Sequence, residues 1–246
     1  MLKLCISISQ FEISFKRIIL KKIGLYPGCS LEASASNYLT SIEKVFSILE
    51  VEYSIMENWN CCGATSVKSL DQRLNLMLNL RNLSEAENQG YDELVVPCAS
   101  CYHRLATTEN SLVQDQVLLN ELSRESECRY NGSLKIRNIL DFFINVVGLD
   151  EIGSKVHTPL TDLTVASYYG CLNTRTPGME SFDVVEYPMS MDYIVSALGA
   201  ESIDWSYKTE CCGASMFLTL ESIWEKLVGK ILKEATLRGA HCIAVS

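Results

Sequence analysis

Asn60-Cys61-Cys62-Gly63-Ala64 is the stretch that decides the fold, and the chain repeats it as Glu210-Cys211-Cys212-Gly213-Ala214. Successive side chains point to opposite faces of a strand and diverge on a helix, so a vicinal cysteine pair rarely serves one core. In a loop, both sulfurs can turn toward one polynuclear centre, and the glycine lets the backbone approach it closely. Buried free cysteines are the ordinary alternative for a single pair. The repetition favours a binding site.

The composition of the 246-residue chain narrows the class of protein. Hydrophobic residues make up 48% and charged residues 21%, an ordinary globular balance. The net charge of -9 argues against a nucleic-acid-binding surface, and no apolar run reaches the roughly 18 residues that span a bilayer. The 11 cysteines are odd in number and lack a secretory signal, so they fit a disulfide framework poorly. We expect a reducing, cytoplasmic location and cysteines used for metal binding or catalysis.

Each cysteine group of the first half follows a predicted strand. The predicted strands are 23–26, 52–56 and 94–96, and the predicted helices are 31–50, 70–86 and one that starts at Tyr102. Strands that alternate with helices predict a parallel sheet with helices on its faces. Ligands of such sheets bind beyond the carboxyl ends of the strands. We therefore expect Cys29, Cys61 and Cys98 at one edge of the sheet.

The same pattern begins again after a predicted linker. Residues 111–148 read as helical and residues 152–162 as the linker, followed by strands at 163–168, 202–205 and 242–245 and helices at 191–198 and 216–237. We expect an α/β fold of two repeated cysteine-rich domains, each a small parallel sheet flanked by helices. The first domain is predicted at 23–150 and the second at 163–246, after an N-terminal extension of residues 1–22.

The two halves align motif by motif. Tyr26-Pro27-Gly28-Cys29 matches Tyr168-Tyr169-Gly170-Cys171, and residues 90–97 match residues 239–246. By this alignment, the counterpart of the first half's Cys98-Ala99-Ser100-Cys101 is expected to start one position beyond the last residue. The sequence therefore predicts a fragment or a prematurely ended gene product.

The first half offers five sulfurs to one centre: Cys29, Cys61, Cys62, Cys98 and Cys101. A tetrahedral structural zinc needs four ligands and often takes them from Cys-x-x-Cys pairs. An iron–sulfur cluster has several irons, so neighbouring sulfurs can bind different irons. A redox-active dithiol at Cys98 and Cys101 would leave the vicinal pair unexplained. The residues favour a cluster first, zinc second and a dithiol third.

The order YPGCS, NCCGA, VPCASC, YYGC and ECCGA resembles the B subunit of heterodisulfide reductase, within the wider cysteine-rich CCG domain family. The resemblance runs from about residue 23 to the end of the chain. It implies a noncubane [4Fe-4S] cluster in each repeat, bound by five cysteines. It assigns the five sulfurs named above to the first cluster, fully liganded here, and Cys171, Cys211 and Cys212 to the second, which lacks two ligands.

The resemblance also implies an oxidoreductase component that reduces a small disulfide to two thiols, such as the coenzyme M–coenzyme B heterodisulfide of methanogens. Electrons would come from two partners, a ferredoxin-like iron–sulfur protein (the C subunit of the complex) and a flavin protein (its A subunit). Two centres facing one cleft could each take one sulfur of the substrate. His103 and Arg104 could donate protons or hold an anionic group, and solvated positions on a helix face are the alternative for both.

Two other functions stay open. A CCG subunit of a lactate, glycolate, glycerol 3-phosphate or succinate oxidoreductase would pass electrons toward quinone. A zinc-stabilised interaction module would have no redox activity. Cys128 and Cys242 lie off the motifs and read as structural, and Cys5 has no partner spacing that would give it a role.

Overall fold

The computed structural model describes residues 21–64, 66–175 and 181–246, and the first of its two parallel sheets belongs to the first half. The strands are β1 (Ile23–Leu25), β2 (Tyr53–Ile55), β3 (Glu93–Val96) and β4 (Lys135–Asn138). The helices among them are α1 (Gly28–Glu32), α2 (Ser36–Ile48), α3 (Val67–Leu70), α4 (Gln72–Asn88), α5 (Ala99–Gln114) and α6 (Gln116–Ser126). Strands thus alternate with helices, as a parallel sheet requires.

The second sheet follows a helical connection. This connection contains α7 (Ile139–Phe142), a π-helical turn (Phe143–Val147) and α8 (Leu149–Ser154). The second half then contains β5 (Thr164–Tyr168), α9 (Ser190–Ala197), β6 (Glu201–Ser202), a 3₁₀ turn (Ala214–Met216), α10 (Glu221–Leu237) and β7 (Cys242–Val245).

The two sheets share one topology. The strand orders are β2-β1-β3-β4 and β6-β5-β7, and every pair is parallel. In the first sheet, Leu25 lies opposite both Ile55 and Val95, so three strands end at the same edge. The predicted α/β class, with two CCG domains built on small parallel sheets, is confirmed.

Strand β4 corrects the prediction that residues 111–148 are helical. The segment Lys135–Asn138 pairs with β3 instead. Its sequence alternates charged and apolar residues, which hid the strand. Within the sheet the buried Arg137 binds Glu93 in a bidentate contact, with Nε–Oε2 at 2.5 Å and Nη2–Oε1 at 3.3 Å, and its Nη1 contacts Asp141. A charged strand is therefore buried because its charge is paired.

Several helix boundaries also differ from the predicted ones. Helix α4 begins at Gln72 because the Asp71 carboxylate accepts a hydrogen bond from Leu74 N at 2.9 Å, a typical N-cap. Helix α5 begins three residues before Tyr102, and α8 extends into the predicted linker. Helix α10 begins at Glu221, after the 3₁₀ turn, and β6 is shorter than predicted.

One hydrophobic core joins the two halves. Leu25, Phe46 and Phe142 of the first half pack in the same buried cluster as Tyr169 and Met191 of the second. Tyr169 directly precedes the turn Gly170-Cys171. This packing therefore holds that turn of the second half against the first domain.

The predicted extension over residues 1–22, with Cys5, lies outside the described residues except for Lys21 and Lys22. Lys22 N donates to Asp92 Oδ2 at 2.7 Å, and its carbonyl accepts from Asp92 N, so this residue is tied to the start of β3. Within residues 21–64, 66–175 and 181–246, no helix has the length and apolar character needed to cross a membrane.

Candidate functional site

The five cysteines of the first half lie where the sequence predicts them, beyond the carboxyl ends of β1, β2 and β3. Cys29 lies in α1 directly after β1, and the vicinal pair lies in the loop after β2. Cys98 is the N-cap residue of α5, and Cys101 lies in its first turn. Parallel strands that end together therefore bring three separate segments to one place.

The sulfurs approach one another as an outer and an inner pair. Cys61 Sγ lies 3.9 Å from Cys29 Sγ, and both residues are exposed. Cys62 Sγ lies 3.3 Å from Cys101 Sγ, and both residues are buried. Cys98 is half-buried and hydrogen-bonds with Cys101. The site thus has a face turned to solvent and a face turned to the core.

Among the described residues, no three His, Cys, Asp or Glu side chains are arranged around one point as ligands of a single metal ion. The thiols lie in pairs at contact distance instead.

Two glycines are required by the geometry of the site. Gly28 has φ +66°, and a Cβ there would lie 3.1 Å from Cys101 Sγ. Gly63 has φ +70°, and a Cβ there would lie 2.9 Å from Asn75 Nδ2. Only glycine adopts this left-handed conformation without strain. The glycines of both motifs are therefore explained by backbone shape and by space beside the sulfurs.

Tyr26 lies at the centre of the first site. Its hydroxyl donates to the Asn60 carbonyl at 2.6 Å, which ties the end of β1 to the residue before the vicinal pair. Burial raises the pKa of Tyr26 far above its ordinary value, and four cysteines around the ring raise it further: Cys101, Cys62, Cys61 and Cys29. Because four thiols act on the same side chain, they must converge on it.

Sequence reasoning missed three buried asparagines of α4. Asn75 Nδ2 and Asn79 Nδ2 donate to the Cys62 carbonyl at 3.0 and 3.1 Å. Asn82 accepts from Asn60 N at 2.8 Å and donates to the Asn60 carbonyl at 2.9 Å. The available signal was their spacing, since positions i, i+4 and i+7 of a helix share one face.

The thiols of Cys62, Cys98 and Cys101 differ in how readily each loses its proton. The hydrogen bond from the Cys101 thiol, with weaker ones from the backbone N–H groups of Cys101 and Ser100, outweighs burial and lowers the pKa of Cys98 to about 6. The same donor lowers the pKa of Cys62, and the pKa of Cys101 is raised because its proton serves both neighbours. Cys98 therefore has thiolate character near neutral pH.

The second half repeats this arrangement with three cysteines. The Tyr168 hydroxyl donates to the Glu210 carbonyl at 2.6 Å, as Tyr26 does to Asn60. Burial raises the pKa of Tyr168, and three cysteines raise it further: Cys212, Cys171 and Cys211. Gly213 N donates to Cys211 Sγ at 3.3 Å. The predicted residues of the second site therefore also converge.

A buried ion pair supports the turn before Cys171. Lys208 Nζ contacts Asp192 Oδ1 at 2.9 Å, and Asp192 Oδ2 accepts from the Tyr169 hydroxyl at 2.7 Å. The Lys208 carbonyl accepts from Tyr169 N at 2.8 Å and from Gly170 N at 3.2 Å. Sequence reasoning also missed this network, which holds the backbone of Tyr169 and Gly170 in place directly before Cys171.

His103 and Arg104 lie in α5, next to the first site. His103 is buried, and its Nδ1 has no hydrogen-bond partner among the described residues. Burial lowers the pKa of His103, and the positive charges of Arg104 and Lys68 lower it further. Arg104 is half-buried, and its charge acts on Cys62. Because His103 is buried, a solvated position on a helix face does not describe it.

The remaining cysteines of the described chain lie apart from both sites. Cys128 Sγ donates to the Ser126 carbonyl at 3.3 Å, beside a surface groove next to α6. Cys242 is the first residue of β7 and is exposed. Neither residue is brought to the cysteine loops by the fold.

Comparisons with known proteins agree with the motifs. A family model described as a cysteine-rich domain (CCG) matches residues 23–106 and 165–246. The 8-methylmenaquinol:fumarate reductase membrane anchor subunit of Wolinella succinogenes is 30% identical over 226 residues, which cover 91% of this chain and 78% of that protein. The chain is thus related to a component of a quinol-linked oxidoreductase.

A second group of relatives has the activity that the motif order suggested. The B subunit of the ferredoxin/F420H2-dependent CoB-CoM heterodisulfide reductase of Methanosarcina acetivorans is 33% identical over 201 residues. The match covers 78% of this chain and 65% of that protein. The B subunit of the ferredoxin:CoB-CoM heterodisulfide reductase of Methanosarcina mazei is 32% identical, with 66% of its length covered. The chain therefore spans about two thirds of these relatives.

A solved structure shares the fold alone. A hypothetical protein from Helicobacter pylori superposes with a TM-score of 0.64 at 11% identity, over 91% of this chain and 40% of that one. The family model covers both halves, and each matched region contains a parallel sheet with cysteines at its carboxyl edge. The chain belongs to the cysteine-rich (CCG) domain family and carries two copies of its domain.

Proposed function

We propose that this chain is an iron–sulfur electron-transfer subunit of a multisubunit oxidoreductase. The observation that carries the proposal is that five thiols lie at one sheet edge, with Cys61 Sγ 3.9 Å from Cys29 Sγ and Cys62 Sγ 3.3 Å from Cys101 Sγ. We assign them as ligands of a noncubane [4Fe-4S] cluster: Cys29, Cys61, Cys62, Cys98 and Cys101. When bound, such a cluster supplies one-electron transfer and iron sites that bind sulfur.

The residues of the first site fit such a group. Five soft thiolate donors suit several irons, and no carboxylate is among the charges that act on Cys62 or Cys98. The Ala64 N–H and the first N–H groups of α5 face Cys62 and Cys98, and they stabilise the negative sulfurs. Gly28 keeps a Cβ atom away from Cys101 Sγ, and Gly63 lets the Cys-Cys-Gly loop lie against Asn75 and Val67.

The exposed and buried faces of the site have different tasks. Cys62 and Cys101 lie in the core, and Cys29 and Cys61 face solvent. A substrate or an electron-transfer partner therefore approaches on the side of Cys29 and Cys61. The second site is proposed to bind a second cluster through Cys171, Cys211 and Cys212.

We propose disulfide reduction as the reaction of the complex. Cleaving the S–S bond consumes two electrons and two protons and releases two thiols. The buried cluster that joins Leu25 and Phe46 of the first half to Tyr169 of the second supports two sites close enough to act on one substrate. Arg104, half-buried beside Cys62, suits an anionic substrate group. The substrate would be CoM-S-S-CoB or a related small disulfide, in the cytoplasm, and the electrons would come from a ferredoxin-like subunit together with a flavin subunit.

A second reaction is favoured by one observation. The methylmenaquinol:fumarate reductase relative aligns with a larger share of this chain than the heterodisulfide reductase relatives do. In this alternative the clusters exchange electrons with a quinone pool in a fumarate or succinate oxidoreductase. The same cysteines bind the same cofactor, and only the terminal electron partner changes.

One experiment tests whether the chain binds a cluster, and a second tests which reaction the cluster supports. The full chain, reconstituted anaerobically with iron and sulfide, is expected to bind about four irons and four labile sulfides in its first half. Cys62→Ala should abolish or alter the spectrum, and Cys128→Ala is the matched control because Cys128 lies outside the site. Stoichiometric zinc without labile sulfide would overturn the proposal. Dye-linked reduction of a heterodisulfide, compared with menaquinol oxidation, distinguishes the two reactions.

A further inference from the structure

Three asparagines form a polar stripe on the buried face of α4. Asn75 is 5% exposed, and Asn79 and Asn82 are 0% exposed. Buried amides are unfavourable unless their hydrogen bonds are made. Asn79 Oδ1 has no hydrogen-bond partner among the described residues, so keeping this side chain in the core carries a free-energy cost. The hydrogen bonds that Asn79 donates through Nδ2 must therefore offset this cost.

The amide groups of the stripe all act on one loop. Asn75 and Asn79 donate to the Cys62 carbonyl, and Asn82 binds both the N–H and the carbonyl of Asn60. Both carbonyls are thereby turned toward α4.

The second half shows that the motif alone does not require this stripe. Helix α10 has the same 17-residue length as α4 but contains no asparagine. A Cβ on Gly213 would meet Leu227 Cδ1 at 2.8 Å, whereas a Cβ on Gly63 would meet Asn75 Nδ2. The second Cys-Cys-Gly loop therefore rests on apolar side chains. The stripe serves a task particular to the first site.

We propose that Asn75, Asn79 and Asn82 are positioning residues that hold the first Cys-Cys-Gly loop in its ligand-binding form before any cofactor arrives. Because Cys61 and Cys62 lie in this loop, the clamp also sets the position of their sulfurs. The effect on the cofactor rests on the proposed function, because hydrogen bonds to sulfur help to set the reduction potential of an iron–sulfur cluster. The effect on the loop does not depend on it.

The first experiment uses the full chain without cofactor. We compare Asn79→Leu and Asn82→Leu with Ser84→Ala, a buried polar residue of the same helix whose Oγ accepts from Arg129 N instead. Amide exchange over residues 60–64 is expected to become about fivefold to tenfold faster in the asparagine variants, the effect of losing one or two hydrogen bonds. Ser84→Ala should leave that exchange unchanged. Asn79→Ala and Asn82→Ala replace any leucine variant that does not fold.

The second experiment uses the reconstituted chain. The asparagine variants should bind as much iron as the wild type but with a lower reduction potential and an altered electron paramagnetic resonance spectrum, and Ser84→Ala should change neither. Unchanged exchange over residues 60–64 in all asparagine variants would overturn the clamp. If no cluster is bound by any variant or by the wild type, the proposed function fails while the exchange measurement still decides the role of the stripe.

Discussion

The two cysteine loops of this protein have the same shape and different supports. In both, a tyrosine donates to the carbonyl that precedes the cysteine pair, at 2.6 Å, and the following glycine has φ near +70°. The first loop is clamped by asparagine amides, and the second half places a buried Lys208–Asp192 pair under its Gly-Cys turn. The motif therefore determines loop shape, and the neighbouring elements determine how that shape is stabilised.

The largest expected effect is the loss of the buried pair in the second half. Asp192→Ala leaves Lys208, 2% exposed, without its carboxylate and is expected to destabilise the fold by about 3–5 kcal/mol. Urea unfolding measures the loss, and amide exchange should rise first near Cys171. Glu50→Ala, which removes the exposed partner of Lys155, is the control and should cost under about 1 kcal/mol. Equal losses in the two variants would contradict the supporting role of the pair.

Alanine at the two motif glycines compares the loops directly. Gly63→Ala and Gly213→Ala each place a Cβ at positive φ, for an expected cost of about 1–2 kcal/mol. Gly63→Ala should also displace Asn75 from the Cys62 carbonyl and so loosen the first loop more than the second. Thermal unfolding and loop amide exchange test this. Gly153→Ala, at an ordinary φ with its nearest atom 3.7 Å away, should change neither.

Removing the two tyrosine hydroxyls should have a smaller effect. Tyr26→Phe and Tyr168→Phe each delete one hydrogen bond, worth about 0.5–1.5 kcal/mol. Tyr26→Phe should be the milder change because the Asn60 carbonyl still accepts from Asn82. Denaturant midpoints of the two variants give the comparison. A larger loss in Tyr26→Phe would show that the asparagine clamp does not stabilise the same carbonyl.

The last comparison changes no residue. In the protein without cofactor, Cys98 has a pKa of about 6, whereas burial and then the neighbouring Cys211 raise the pKa of Cys171 above its ordinary 9.0. Because the thiolate is the reactive form, alkylation of Cys98 should reach half its maximum near pH 6, and that of Cys171 only above pH 9. Mass spectrometry of iodoacetamide-treated protein reads both sites. Identical alkylation profiles for Cys98 and Cys171 would contradict the expected difference in their pKa values.

Local chemistry made much of the fold and site predictable. Strands β1, β3 and β5 are short apolar runs, and the glycines beside the cysteines mark turns that other residues adopt with strain. Strand β4 was not predictable, because Lys135 and Arg137 are charged and the burial of Arg137 depends on Glu93 of the distant strand β3 as well as on Asp141. A pattern of single residues does not contain such a partner.

The sequence by itself determined the repeat and the α/β class. It also determined the edge of each sheet at which cysteines lie, five at the first sheet and three at the second, because this follows from where parallel strands end. Only the tertiary structure decided that Cys62 pairs with Cys101 and Cys29 with Cys61, and that α4 faces the first loop with amides. Those contacts depend on side-chain direction between elements distant in the chain. Helical periodicity identifies a buried face, but packing determines which atoms that face meets.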